Sequence, residues 1–79
     1  MSTIGQDRIE RLTQLIVREK FELQVVKWDD TTQCYDWHFA PEGATGEFVF
    51  SVLEQDNEEM RRIVYNLMDV AQKYHAPRN

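Results

Sequence analysis

The last third of the chain has the most regular spacing of hydrophobic positions. Its apolar residues recur at steps of three and four, which is the period of one face of a helix. These positions are Met60, Ile63, Val64, Leu67, Met68, Ala71 and Tyr74. The spacing predicts an amphipathic helix over 57–74 that packs on the rest of the chain through this face. Asp56 is the predicted N-cap, Glu59 completes a capping box, and Pro77 ends the helix.

A broader apolar stripe lies near the start of the chain and predicts a first helix over 7–19. The stripe consists of Ile9, Leu12, Leu15 and Ile16. Val17 lies off this stripe, so the edges of the face are less sharply defined. We expect residues 1–5 and 76–79 to be frayed ends of a single domain that spans residues 1–79.

Between the two predicted helices, hydrophobic residues alternate with polar ones. Three runs have this period of two, at 21–26, 32–39 and 47–53, and the pattern is typical of half-buried strands. Turn-forming residues separate the runs at 29–31 and 41–46. The runs predict a three-stranded antiparallel meander. The predicted fold class is therefore α+β, in the order α-β-β-β-α, with both helices packed on one face of the sheet.

The register of the first hairpin follows from keeping the apolar rows on one face. A loop over 29–31 pairs Trp28 with Thr32 and Val25 with Tyr35, which achieves this. A slip of one residue would turn one aromatic row away from the core.

The second hairpin can be aligned by the same requirement. A four-residue loop over 42–45 places Phe39 opposite Phe48 and Trp37 opposite Phe50. Both hairpins then share one inner face, on which the helices are expected to lie.

In this register the outer face of the sheet carries a candidate binding surface. Trp28, Val26, Cys34 and Val49 form an apolar spot there, and Asp29 and Asp30 lie in the adjoining turn. Exposed apolar patches on small proteins often mark binding surfaces, and Trp is enriched at the centres of interfaces. The alternative is that Trp28 folds over the end of the hairpin and that the other apolar residues are scattered and without function. Pairing through an edge strand is a second route to self-association.

Length and charge narrow the function classes. The chain has 79 residues, a formal net charge of −5, and 42% hydrophobic residues, so it should fold and should bind polyanions poorly. The lone Cys34 fits a reducing compartment, and no apolar run is long enough to cross a membrane. We therefore expect a cytoplasmic, homodimeric, acidic protein-binding module that acts as an adaptor, regulator or inhibitor, with no direct nucleic-acid or membrane partner.

Other functions are weighed against this expectation. Cys34, Asp36 and His38 alternate along one strand face and could bind a metal or small ligand, although alternate strand residues converge poorly on one ion. The acidic turns could instead mimic a nucleic acid and block a protein that binds one. No nucleophile, base and orienting residue stand out together, so we expect no enzyme, no catalytic residues, no bound metal and no cofactor; an enzyme with its site in a dimer cleft is the remaining alternative.

The order of elements resembles that of double-stranded RNA-binding domains. That family presents lysines to phosphates at the start of its second helix. The corresponding stretch here, 56–59, reads Asp-Asn-Glu-Glu and has the opposite charge. The resemblance is therefore one of element order, and RNA binding through this surface is not expected.

Overall fold

The structure is a computed structural model that describes residues 4–41 and 46–75. Helix α1 (Gln6–Thr13) continues into a π-helical turn, and helix α2 (Asn57–Tyr74) follows a short 3-10 turn. Between them lie the strands β1, β2 and β3, which span Phe21–Asp29, Cys34–Pro41 and Phe48–Leu53. Within the described residues these strands form one antiparallel sheet in the order β1-β2-β3. The predicted α+β fold is confirmed.

Both helices pack on the inner face of the sheet, where the hydrophobic core lies. The core side chains of the helices are Leu12, Leu15, Ile16, Met60 and Val64, and those of the sheet are Trp37, Phe39, Phe50 and Val52. Ile4 joins this core and is only 5% exposed, so the expectation of a frayed start is wrong for this residue. The carbonyl of Gly5 accepts hydrogen bonds from the N–H groups of Arg8 and Ile9 at 3.1 and 3.2 Å. The other residues expected to be frayed, 1–3 and 76–79, lie outside the described residues.

The π-helical turn at Gln14–Arg18 explains why Val17 did not fit a regular helical stripe. The N–H of Glu19 donates to the carbonyl of Gln14, a step of five residues, at 3.0 Å. A π-helix turns less per residue than an α-helix. As a result, three consecutive side chains, Leu15, Ile16 and Val17, are all buried.

The first helix is also attached to the third strand at its surface. The Arg8 guanidinium donates to the backbone carbonyl of Ser51 at 2.8 Å, and the Arg11 guanidinium lies 4.5 Å from the centre of the Phe48 ring. These contacts place α1 over the β3 side of the sheet. The C-terminal half of α2 borders the start of β1.

The second hairpin has the predicted register. Phe39 lies opposite Phe48, and Trp37 lies opposite Phe50. The predicted loop over 42–45 lies outside the described residues.

The predicted register of the first hairpin is wrong. Asp29 pairs with Cys34 and Trp28 with Tyr35, so four residues form the loop rather than three. The side-chain oxygen of Asp29 accepts a hydrogen bond from the Thr31 N–H at 3.0 Å, and Gln33 closes the loop with a left-handed φ of 57°. Side-chain bonding of this kind is typical of Asp in turns.

A β-bulge at Gln24 compensates for the one-residue shift that the longer loop introduces into the pairing of this hairpin. Leu23 pairs with Phe39 and Val25 with His38, so Gln24 is an extra residue with no partner of its own on β2. A bulge shifts the alternation of side chains by one position. In the N-terminal half of β1 the side chains therefore lie on their predicted faces, and in the C-terminal half they lie on the opposite faces.

The start of α2 also differs from the prediction. The Asp56 side chain makes no capping hydrogen bond to α2, so the side-chain cap predicted at this residue is absent. Instead, the first helical residue, Asn57, accepts a hydrogen bond from the Trp37 indole N–H at 2.8 Å. This bond anchors the start of α2 to the central strand.

Candidate functional site

The bulge places Val26 and Trp28 on the inner face of the sheet, not on the predicted outer face. Val26 lies opposite Trp37, and Trp28 lies opposite Tyr35. Directly opposed residues of antiparallel strands share a face. The rings of Trp28 and Tyr35 meet edge to face, with their centres 4.9 Å apart.

The four residues of the predicted apolar spot are therefore not brought together. Cys34 and Val49 lie on the outer face, in different cross-strand rows, because Cys34 pairs with Leu53 and Val49 with His38. The outer face has no fully buried side chain among the described residues. It is a predominantly solvated face, as is common in antiparallel sheets with helices on one side.

Asp29 and Asp30 are engaged within their own turn. Asp29 accepts the Thr31 N–H as described above, and the Gln33 side-chain amide donates to the carboxylate of Asp30 at 3.1 Å and to its backbone carbonyl at 2.7 Å. Through these bonds both acidic residues stabilise the turn. Their predicted contact with a partner remains a prediction.

The outer-face residues considered as metal ligands interact with other neighbours. Asp36 accepts a hydrogen bond from the Ser51 hydroxyl at 2.8 Å, and Nδ1 of His38 lies 3.3 Å from the carboxylate of Glu47. Within the residues that the structure describes, no three His, Cys, Asp or Glu side chains converge in a way that could hold a metal ion. The metal-binding alternative thus gains no support from the geometry.

A groove between β1 and α2 is the better candidate site. Its floor is the inner face of β1, and its wall is the flank of α2 that faces this strand. Its apolar lining residues are Ile16, Phe21, Leu23, Tyr65, Met68 and Ala71. We call this the β1–α2 groove; it has a volume of about 670 Å³ and opens to solvent. Val26 and Trp28 continue the same face of β1 beyond it.

Exposed apolar area distinguishes this groove from other depressions. Of its lining residues, Tyr65 is 56% and Met68 39% exposed, and beyond the groove Trp28 is 41% and Val26 36% exposed on the same face of β1. A second depression of about 800 Å³ beside the start of α2 is larger, but charged residues such as Glu58 and Arg62 line it. Volume alone therefore does not identify a binding site, and the apolar lining favours the β1–α2 groove as the candidate.

The rim of the groove carries both signs of charge. Lys20 stands at the β1 end, and Asp69 stands on α2. Asp69 also lies 3.6 Å from Lys73 in a solvent-exposed pair. Such a rim of mixed charge around an apolar centre is the usual anatomy of a protein interface.

His75 closes the far end of the groove. Its Nε2 lies 2.6 Å from the backbone carbonyl of Val17, at the end of the π-helical turn. In the tautomer that carries hydrogen on Nε2, the ring donates to this carbonyl. The contact holds together the C-terminal ends of the two helices and so fixes the width of the groove there.

The sequence did not predict this site, because Tyr65 of the helix wall and the exposed apolar residues next to the groove on β1 do not follow regular periodicity. Tyr65 falls outside the apolar stripe of α2, and Val26 and Trp28 change face only because of the bulge. One signal was present in the sequence. Val25 and Val26 are consecutive apolar residues in an otherwise alternating run, which is typical of a break in the alternation.

Comparison with known proteins adds no functional information. No protein-family model, curated protein or solved structure matches this chain. None of the described helices is long and apolar enough to cross a membrane. The geometry of the site is therefore the basis for assigning a function.

Proposed function

We propose that this protein is a small interaction module that binds another polypeptide chain in the β1–α2 groove. The supporting observation is the exposure of Tyr65 and Met68, two large apolar side chains that line the groove, together with that of Val26 and Trp28 on the same face of β1 beyond it. Leaving them in water is costly, and covering them with a partner recovers about 25 cal/mol for each Å² of apolar surface buried.

The shape and chemistry of the groove suit a peptide segment. One wall is a helix, the floor is a strand with a free edge, and the rim is charged. An added strand or an amphipathic helix can use such a trough, because it meets apolar side chains in the middle and polar groups at the borders. An adaptor or regulator that acts by contact alone is consistent with this arrangement.

Site-specific photo-crosslinking tests the proposal. A photoreactive phenylalanine analogue at Tyr65 is expected to crosslink to another polypeptide in extracts of cells that produce the protein. The matched control carries the same analogue at Asn66, which is exposed but belongs to the outward side of α2. Substituting Met68→Glu in the Tyr65 variant should suppress the crosslink by placing a charge in the groove. Equal crosslinking from Tyr65 and Asn66, or no crosslinking from Tyr65, would contradict the proposal.

A further inference from the structure

We propose that the partner in the β1–α2 groove is a second copy of this chain, whose β1 pairs antiparallel with the first β1. This inference rests on the proposed function and names the occupant of the same groove. It is argued from the free edge, the bulge, the apolar rows and the charges of β1.

The free edge of β1 borders the floor of the groove. β2 pairs with one side of β1, and within the described part of the chain no strand pairs with the other side. The backbone N–H and C=O groups on that side can receive a further strand. A strand added there extends the groove floor, so one partner provides both backbone hydrogen bonds and apolar contact.

The bulge at Gln24 determines which strand fits this edge. A regular partner strand can match the inner face on one side of Gln24, but beyond the bulge its polar residues would lie on the inner face. For this reason bulges usually protect edges from unwanted pairing. A partner strand that carries the same one-residue break at the opposing position avoids the mismatch. A second β1, related by a two-fold axis, has this break.

The apolar residues of the inner face then meet each other. With the axis between Gln24 and Val25, Phe21 faces Trp28 of the second copy, and Leu23 faces Val26 of the second copy. All four side chains lie on the inner face. The side to which the backbone N–H and C=O groups point also shifts by one residue at the bulge. In each pair, the backbone groups of both residues therefore point either toward the new strand or away from it.

The charges of the outer face match in the same register. Glu22 pairs with Ala40 and Lys27 with Asp36 within the chain, which places both charged side chains on the outer face. Across the two-fold axis, Glu22 faces Lys27 of the second copy, and the pair occurs twice. Opposite charges directly across an antiparallel pair are stabilising, and like charges are destabilising.

The resulting dimer has one six-stranded sheet with an α2 helix on each side of the new strand pair. The two grooves share one floor, and Tyr65 and Met68 of each copy form the facing walls. The interface is isologous, so it closes after two copies and does not continue into a fibre.

Charge reversal tests this register. We expect the native chain to be a dimer by light scattering and sedimentation equilibrium. Glu22→Lys and Lys27→Glu should each raise the dimer dissociation constant by about tenfold or more, because like charges then face each other twice. The double variant E22K/K27E should restore native affinity. Glu10→Lys, on the exposed surface of α1, changes the net charge as Glu22→Lys does and is its matched control, which should leave affinity unchanged.

A disulfide experiment provides a second test that does not depend on affinity. In a Cys34→Ser background, one chain carries Glu22→Cys and the other carries Lys27→Cys. Within one chain these positions are about 15 Å apart along the strand, too far for a bridge. Across the proposed axis they are directly opposed, so mild oxidation of the mixture should yield the mixed dimer in preference to either symmetric dimer.

Two results would overturn the inference. One is a native chain that stays monomeric at all concentrations. The other is a native dimer whose charge reversals do not rescue each other and whose cysteine variants give no preference for the mixed pair. If the chain is monomeric while Tyr65 still crosslinks to a different protein, the inference fails and the proposed function stands. If Tyr65 crosslinks to nothing, the proposed function fails.

Discussion

Trp37 is held by a single directional bond as well as by packing. It is 2% exposed, and its indole N–H donates to the side-chain oxygen of Asn57 at 2.8 Å. A buried indole N–H that loses its acceptor keeps the cost of desolvation without the compensating bond. Asn57 therefore links the centre of the sheet to the first turn of α2, in place of the helix cap predicted at Asp56.

Removing the acceptor should be more harmful than changing it. Asn57→Ala is expected to lower the free energy of unfolding by about 1–3 kcal/mol, because the buried indole N–H is left unpaired. Asn57→Asp keeps an oxygen at the same position and adds a negative charge near the start of a helix, where it is favourable. Urea unfolding followed by circular dichroism measures both. Equal loss of stability in the two variants would show that the bond contributes nothing.

At the scale of single elements, the end of the first helix carries backbone strain. Lys20 follows the π-helical turn with a left-handed φ of 59°. Most residues with a Cβ atom adopt this conformation at a cost, and glycine is the usual residue just after a helix. The chain changes direction here to enter β1, so the conformation is needed even though the residue does not favour it.

Relieving this strain should stabilise the fold. Lys20→Gly is expected to raise the free energy of unfolding by about 0.5–1 kcal/mol, after the greater flexibility of glycine in the unfolded chain is taken into account. Glu19→Gly is the matched control, because Glu19 has a φ of −98° and gains no relief. It should destabilise the protein instead. Chemical unfolding of both variants distinguishes them, and a loss of stability with Lys20→Gly would contradict the strain argument.

The outer face of the sheet yields a prediction about metals. Asp36 bonds to Ser51 and His38 lies beside Glu47, so Cys34, Asp36 and His38 do not form a convergent ligand set. We expect a tenfold molar excess of zinc, nickel or copper to leave the midpoint of thermal unfolding unchanged. Cys34→Ser serves as the control for nonspecific thiol binding. An upward shift that this substitution abolishes would revive the metal-binding hypothesis.

The two hairpins illustrate what sequence can and cannot predict here. The second hairpin joins strands of strict alternation, and its pairs Phe39–Phe48 and Trp37–Phe50 follow from keeping aromatic residues on one face. The first hairpin requires the same shared face but satisfies it with a longer loop and a bulge. An alignment based on strict alternation assumes unbroken strands, so it cannot decide between a three-residue loop and a four-residue loop that is combined with a bulge. The same assumption placed Val26 and Trp28 on the outer face.

At the scale of the whole molecule, the protein has a small core and a large exposed apolar trough. A chain of this length supports only about 3–5 kcal/mol of folding free energy from a single core unless association adds to it. In the proposed dimer, Leu23, Val26 and Trp28 would gain partners that the monomer does not provide. Stability and association should therefore be coupled.

This coupling predicts that thermal stability depends on protein concentration. The midpoint of thermal unfolding should rise by about 4 °C for each tenfold increase in concentration, since only the folded chain associates. Trp28→Glu should retain the helical circular dichroism signal, because Trp28 is outside the buried core, but its midpoint should not vary with concentration. A native midpoint that is independent of concentration would argue against coupled folding and association.

The bulge at Gln24 has a consequence for selectivity during protein synthesis, when many incomplete chains expose strands together. Deleting Gln24 would leave every other side chain of β1 on its present face, but it would give the strand an uninterrupted edge. Such an edge accepts almost any extended segment and is a common starting point for aggregation. With Gln24 present, a misaligned or foreign strand can match only half of β1. Gln24 thus restricts pairing along the whole of this edge to strands with the same one-residue break, which the chain's own copies have.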